Sequence, residues 1–214
     1  MIPRAFFDRP AVEVAPDLLG CVLEHETAAG LVAVELTEVE AYMGAVDPAS
    51  HAYRGQTSRN AVMFGPPGHA YVYFTYGMHF CVNLVCLPPG TASAVLLRAG
   101  RLVEGEELAR KRRVSNGKGS RDLARGPARL CQALGIDRGQ NGADVCRPDS
   151  PLRIRGPGGG TTDRSFKKVL SGPRVGVSSG AEAAWRFWVD GEPTVSVYRP
   201  HVPRKRKPVT PRVR

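Results

Sequence analysis

The sequence predicts an α+β domain built on a mostly antiparallel β-sheet. Three observations carry this. β-Branched and aromatic runs that read as strands crowd the first half of the chain. Helical patterns appear in the middle, after the strands rather than alternating with them. Tyr76-Gly77 separates two such runs as a hairpin turn. The 214 residues suit one ordinary domain, and a hydrophobic content of 42% is enough for a core.

In order along the chain, Leu18–Leu23 reads as a short strand, and Gly30 opens a longer one over Leu31–Tyr42. Side chains two apart on a strand share a face. Val32, Val34 and Leu36 are therefore expected to be followed on their own face by Glu38, Glu40 and Tyr42. A polar loop, Asp47–Asn60, carries His51 and Arg59, and Gly65-Pro66-Pro67-Gly68 is a turn. Ala70–Thr75 and Met78–Cys86 form the hairpin, with Tyr76 near its tip, and Ala94–Arg98 is a fourth strand. A helix is expected near Val103–Arg113, acidic at its start and basic at its end. Another spans Pro127–Leu134, with Pro127 at its first position and Gly135 as its stop. Asn141–Leu170 reads as irregular. Arg174–Ser178, Trp185–Val189 and Thr194–Val197 read as late strands. Residues 1–198 are taken as the domain and 199–214 as a basic, Pro-rich tail expected to be disordered.

Charge is uneven. The net charge is +10, yet residues 1–97 hold only Arg4, Arg9, Arg54 and Arg59 against nine Asp or Glu, and no lysine. The basic excess lies in Arg110–Arg113, in Lys118, Arg121, Arg125 and Arg129, and in Arg204–Lys207. Each cluster alone also reads as a solvated face. Together, without a matching acidic segment, they favour a nucleic-acid surface over a membrane surface. The charge-free stretch between Arg59 and Arg98 is broken by Gly-Pro turns and Asn83, so it reads as buried strands and not as a membrane span. Five scattered cysteines without a C-x-x-C pair argue against a disulfide framework or a zinc ribbon. Met1–Asp8 lacks the apolar core of a signal peptide.

Glu40 is the sharpest chemical candidate. A carboxylate finishing an apolar strand face is desolvated, which suits a general base that deprotonates water. Arg98, ending a neighbouring strand, is placed to orient it. A plain buried Glu–Arg pair fits the same pattern. Tyr42, Tyr71, Tyr73 and Tyr76 with His51 and His69 form an aromatic set of the kind that stacks on unpaired bases, although Tyr71 is explained by packing alone. His51 and His69 lack a spaced metal partner, and the Gly156–Gly160 run lacks the residues of a phosphate loop.

The motifs Glu38-Val39-Glu40-Ala41-Tyr42-x-Gly44, His51, Gln56-Thr57-x-Arg59-Asn60, Met63-Phe64-x-x-Pro67-Gly68-x-x-Tyr71-Val72-Tyr73-x-x-Tyr76-Gly77-Met78-x-Phe80-Cys81-x-Asn83 and Val95–Ala99 follow one another in this order. Gly126-Pro127-x-x-Leu130–Leu134, Pro173–Val177 and Arg186-Phe187-x-Val189 continue the string. Together they resemble the alkyladenine (3-methyladenine) DNA glycosylase family from about Arg4 to Val197, weakly over Asn141–Leu170 and not in the tail. The resemblance implies a single compact domain with a curved, mostly antiparallel sheet, flanking helices and a protruding hairpin. It implies a monofunctional glycosylase that flips alkylated or deaminated purines out of duplex DNA and leaves an abasic site, with no cofactor and no metal. On that pattern Glu40 activates the water and Arg98 places it. Tyr42, His51 and Tyr73 line the base pocket, and Asn83 disfavours guanine. Tyr76, with Met78 beside it, enters the minor groove. Arg59, Lys118, Arg121, Arg125 and Arg129 are the candidate backbone contacts. The partner is then double-stranded DNA with a damaged purine, the protein a monomer, and its place intracellular (cytoplasmic, nucleoid or nuclear). His79 departs from the family pattern, and the His51–Gln56 loop is one residue shorter than in longer members. A nucleic-acid-binding module without catalysis, and a relative acting on RNA, are the alternatives. The binding module gives no reason for Glu40, and a panel of substrates separates the relative acting on RNA.

Overall fold

The computed structural model describes residues 1–113, 119–157 and 168–203. Among these residues, three α-helices flank an eight-stranded antiparallel sheet that curls into a half-barrel. The strands are β1 (Val22–Thr27), β2 (Gly30–Tyr42), β3 (Ala70–Thr75), β4 (His79–Cys86), β5 (Ser93–Glu104), β6 (Leu152–Arg155), β7 (Val169–Gly172) and β8 (Arg186–Val189). They lie in the order β3-β4-β5-β2-β1-β6, with β8 pairing the second half of β2 and β7 pairing β8. The helices are α1 (Ala11–Leu18), α2 (Glu106–Arg112) and α3 (Pro127–Leu134).

The sheet has two different faces. Ala70, Val72, Val82, Leu84, Cys86, Val95 and Leu97 point into the main core, where they meet Ala11, Val14, Ala15 and Leu18 of α1 and Leu130, Cys131, Ala133 and Leu134 of α3. The spacing of the α1 residues is the i, i+3, i+4, i+7 stripe of a buried helix face. The alternate residues Tyr71, Val85 and Ala94 face the other way and pack with Ala52 and Met63 of the long loop after β2. The functional candidates lie on this second face.

The expected face of Glu38, Glu40 and Tyr42 is corrected here. Val32, Val34 and Leu36 belong to the main core, but so do Val39 and Ala41. The β2–β5 register shifts between Leu36 and Glu38 and again between Glu38 and Val39. Such bulges insert one unpaired residue and change the phase of alternation. Glu38, Glu40 and Tyr42 therefore emerge opposite the apolar strip that precedes them. The extra residue on β5 is Arg98, skipped between Ala99 and Leu97.

Other boundaries also move. Leu18 ends a helix rather than opening a strand, and β1 starts at Val22. The fourth strand runs on to Glu104, so the next helix begins only at Glu106, after Gly105 at a φ of 73°. A side chain there would strike the Leu31 carbonyl oxygen. The stretch expected to be irregular contains β6 and the start of β7. Arg174–Ser178 and Thr194–Val197 are not strands, because the Val175 and Ser196 amides bond to carboxylates instead of to a neighbouring strand. The hairpin, α3 with its Gly135 stop, and the strand before Val189 are as expected. Lys118, Arg204–Lys207 and the rest of the tail beyond residue 203 lie outside the described residues.

Leu130 is fully buried between α3 and the sheet. Leu130→Ala is expected to destabilise the protein by about 2–5 kcal/mol, read as a lower urea midpoint at unchanged slope.

Candidate active site

The sheet register assembles the site. Tyr71 of β3 faces Asn83 of β4, Asn83 faces Leu96 of β5, Leu96 faces Glu40 of β2, and Glu40 faces Arg186 of β8. Directly opposed residues share a face. One row across five strands thus runs from an aromatic residue to a buried carboxylate and on to an arginine.

Glu40 has no solvent exposure. Its Oε2 accepts the Tyr42 hydroxyl at 2.9 Å and lies 3.2 Å from Arg98 Nη1. Its Oε1 accepts the Val175 backbone N–H at 2.7 Å. Arg98, placed by its bulge, spans both carboxylates, because its Nε donates to Glu38 Oε1 at 2.8 Å. Arg186 Nε donates to the same oxygen at 2.7 Å, and the Ser196 N–H donates to Glu38 Oε2 at 2.7 Å. Burial works to raise the pKa of Glu38, but the Arg98 and Arg186 charges outweigh it and hold the carboxyl below its ordinary value. Burial, and next the Glu40 charge, push the Tyr42 phenol well above its ordinary value, so this hydroxyl keeps its proton and donates it.

Beside Tyr42 lies a pocket lined by Tyr42, Ala49, His51, Met63, Tyr71, Tyr73 and Asn83. His51 stands edge-on to Tyr73 with centroids 4.5 Å apart, and its Nδ1 is 3.1 Å from the Tyr71 hydroxyl. His51 is exposed at its surface, but the desolvation of its ring against Tyr73, and then the Arg59 charge, lower its pKa, which favours the neutral imidazole near pH 7. Tyr71 and Tyr73 stack at 5.6 Å. Asn83 Nδ2 donates to the Tyr71 carbonyl at 3.1 Å, which fixes the amide's orientation. Arg98 and Val175, which both contact Glu40, line a separate cleft with Arg121, Arg125, Arg129 and Arg199. Arg125 and Arg129 share one acidic neighbour, Asp122, at 3.5 and 3.7 Å.

Tyr76 is 80% exposed and Met78 65% exposed at the hairpin tip. Tyr76 and Gly77 both have positive φ, 52° and 69°. That turn suits Asn-Gly, and a tyrosine in it is strained. Arg59 is exposed beside the same hairpin, with Nη2 3.4 Å from the Phe74 carbonyl.

The structure therefore gathers Glu40, Arg98, Tyr42, His51, Tyr73 and Asn83 around one row, and keeps Tyr76, Met78 and Arg59 on the hairpin beside it. Arg121, Arg125 and Arg129 line the cleft. Sequence reasoning assigned no role to Glu38, Arg186, Ser196, Asp47 or Arg174. Pro173–Val177 was visible as a motif, but nothing in it signals that the Val175 amide reaches a strand 135 positions away. Among the described residues, no group of three or more His, Cys, Asp or Glu could hold a metal ion. No helix there is long and apolar enough to cross a membrane.

Glu38→Gln removes one charge from a buried pair and is expected to cost about 3–5 kcal/mol near neutral pH. The folded pKa is depressed, so this stability is fully present above the unfolded value near 4.5 and is lost as pH falls through the folded value. Urea midpoints measured from neutral pH downward should fall in the wild type below that point, and fall less steeply in Glu38→Gln.

Residues 5–193 match the model of the family described as methylpurine-DNA glycosylase. A Streptomyces avermitilis protein is 56% identical over 208 residues, covering 96% of this chain and 95% of its own. A Leifsonia xyli protein is 51% identical over 205 residues, 92% of each chain. A Methanocella arvoryzae protein is 46% identical over 203 residues, 94% of this chain and 98% of its own. All three carry the provisional name 3-methyladenine DNA glycosylase. With nearly the whole domain matched, this chain belongs to the methylpurine-DNA glycosylase family, whose members are hydrolases of DNA N-glycosidic bonds.

Proposed function

We propose that this protein excises alkylated purines, 3-methyladenine among them, and deaminated purines from double-stranded DNA by flipping the nucleotide and hydrolysing its glycosidic bond. The observation that carries this is the position of Glu40. Tyr42 links it to an aromatic pocket, while Arg98 and Val175 link it to an arginine-lined cleft. In a nucleotide the anomeric carbon likewise stands between a flat base and a phosphate. A base seated in the pocket, with its phosphates in the cleft, brings C1′ to Glu40.

Glu40 then acts as general base. Water oxygen bonds to C1′, its proton passes to the carboxylate, and the C1′–N bond breaks with its electron pair leaving on the purine. Glu40 Oε1 carries only the Val175 N–H among the hydrogen bonds of the described residues, which leaves it a lone pair for that proton. Arg98 orients carboxylate and water. Tyr42, His51 and Tyr73 hold the extruded base, and Asn83 meets the purine edge where guanine bears its amino group. Tyr76 and Met78 fill the gap left in the stack, lowering the cost of extrusion. Arg59, Arg121, Arg125 and Arg129 contact phosphates, giving affinity that falls with salt. Among the described residues no lysine lines the pocket or the cleft, so an intact abasic site is the expected product.

The test is hot-alkali cleavage of duplexes holding one hypoxanthine or one ethenoadenine, together with release of 3-methyladenine from methylated DNA. Wild type is expected to give alkali-dependent cleavage or base release, and Glu40→Gln to lose about 10²–10⁴-fold. Activity surviving in Glu40→Gln would displace Glu40 as the base. Binding without excision on any substrate would favour a non-catalytic module.

The strained turn makes a separate prediction. Tyr76→Gly relieves a left-handed tyrosine, so thermal stability should hold or rise by up to about 1 kcal/mol. Excision from duplex DNA should nevertheless fall, and fall more than excision from a single strand, where there is no stack to fill.

A further inference from the structure

Arg174 is 1% exposed. Its Nη1 donates to Asp47 Oδ2 at 2.6 Å and its Nη2 to Asp47 Oδ1 at 2.8 Å. Nη1 also donates to the Ala41 carbonyl at 3.0 Å, and Nη2 to the Gly180 carbonyl at 3.3 Å. The guanidinium lies over the Tyr42 ring at 4.7 Å and over the Trp185 ring at 5.1 Å. Its Nε is buried without a hydrogen-bond partner among the described residues.

As a staple for the 173–180 loop this is a costly design. Apolar side chains of similar volume often replace a buried ion pair at no loss of stability, and an unpartnered buried N–H adds to the cost. Apolar side chains would not supply what Arg174 touches. The ring it lies over belongs to Tyr42, whose hydroxyl donates to Glu40 Oε2. The next residue in the chain is Val175, whose N–H donates to Glu40 Oε1. Asp47 grips both terminal nitrogens of the guanidinium and also accepts the Met43 N–H, one residue beyond Tyr42. Each oxygen of Glu40 is thus held by a group that Arg174 fixes in place.

We propose that Arg174 is a positioning residue for glycosidic hydrolysis: clamped by Asp47, it locks the Tyr42 ring and the Val175 amide and so aims the Glu40 carboxylate. The proposal rests on the reading of Glu40 as the general base. Arg174 touches neither base nor sugar in this account, so its effect is expected in the release step and not in affinity for a duplex with an abasic analogue, which offers no base to the Tyr42 pocket.

The experiment measures single-turnover release of 3-methyladenine from DNA methylated with dimethyl sulfate. Affinity for a duplex with a tetrahydrofuran abasic analogue and the thermal midpoint are measured alongside. The variants are Arg174→Lys, Tyr42→Phe, their double, Trp185→Leu and Glu40→Gln. Lysine keeps a charge beside Asp47 but loses the flat contact with Tyr42. Arg174→Lys is expected to slow release about 10- to 100-fold, as an ångström-scale misplacement does, with duplex affinity unchanged. In the Tyr42→Phe background the same change should cost much less, because the hydroxyl it positions is gone. Trp185→Leu, measured also as a double with Tyr42→Phe, should show the same dependence on Tyr42 with a smaller loss, and it decides the matter if Arg174→Lys does not fold. Rate losses that multiply independently of Tyr42, that track affinity or thermal midpoint, or that are absent, overturn the proposal. Release retained in Glu40→Gln overturns the Glu40 reading and the proposal with it, whereas release lost there with independent Arg174 and Tyr42 effects overturns the proposal alone.

Discussion

Two carboxylates without solvent exposure, Glu38 and Glu40, stand on one central strand, and the surrounding structure is arranged around their pairing. Isolated, each would be expensive to bury, and both point to the same side of the sheet. Arg98 bridges them and Arg186 completes the neutralisation. The paired β-bulges of β2 and β5 make this possible. They turn the carboxylates away from the apolar core and leave Arg98 unpaired in the ladder, free to reach across both. The C-terminal segment is drawn in by the same demand, since the Val175 and Ser196 amides give their hydrogens to these oxygens instead of to a strand.

This pairing lets the sheet do two kinds of work. One face carries aliphatic side chains against α1 and α3 and supplies the stability. The other carries Tyr71, Tyr73, Asn83, Glu40 and Tyr42 on the same rigid ladder. Side chains on adjacent paired strands are held more precisely than side chains on loops could be. His51 and Met63, which complete the pocket, come from the loop after β2, and that loop is anchored through Asp47 to Arg174. The hairpin tip is the part that spends stability, on an exposed tyrosine in a left-handed turn. Strain kept in that way marks a place where the surface meets something else.

Much of this was legible in the chain itself. Alternating β-branched and aromatic residues marked β2, the β3–β4 hairpin and the location of Tyr76. Pro127 and Gly135 bracketed α3. The string of motifs from Glu38 to Val189 carried the family, and the uneven charge carried an anionic partner. Less visible were α1, whose valines mask a helical stripe, and β6 and β7, which are short and set among glycines and charges. The face of Glu40 was misjudged because alternation was counted through Thr37 as if the strand were regular.

What the sequence by itself determined were the local matters: which segments extend, where they turn, and that a carboxylate, phenols, an imidazole and an arginine recur in a family's order. Periodicity and turn chemistry act over a few residues, so they leave a readable trace. Only the tertiary structure decided which face Glu40 occupies and that Tyr71, Asn83, Leu96 and Glu40 form one row. It alone decided that Arg174, Val175, Arg186 and Ser196 close around the carboxylates. Those are relations of register between strands far apart in the chain. A bulge that inserts one residue changes them without altering composition, and the guanidinium that balances a buried charge can come from any segment the packing brings near.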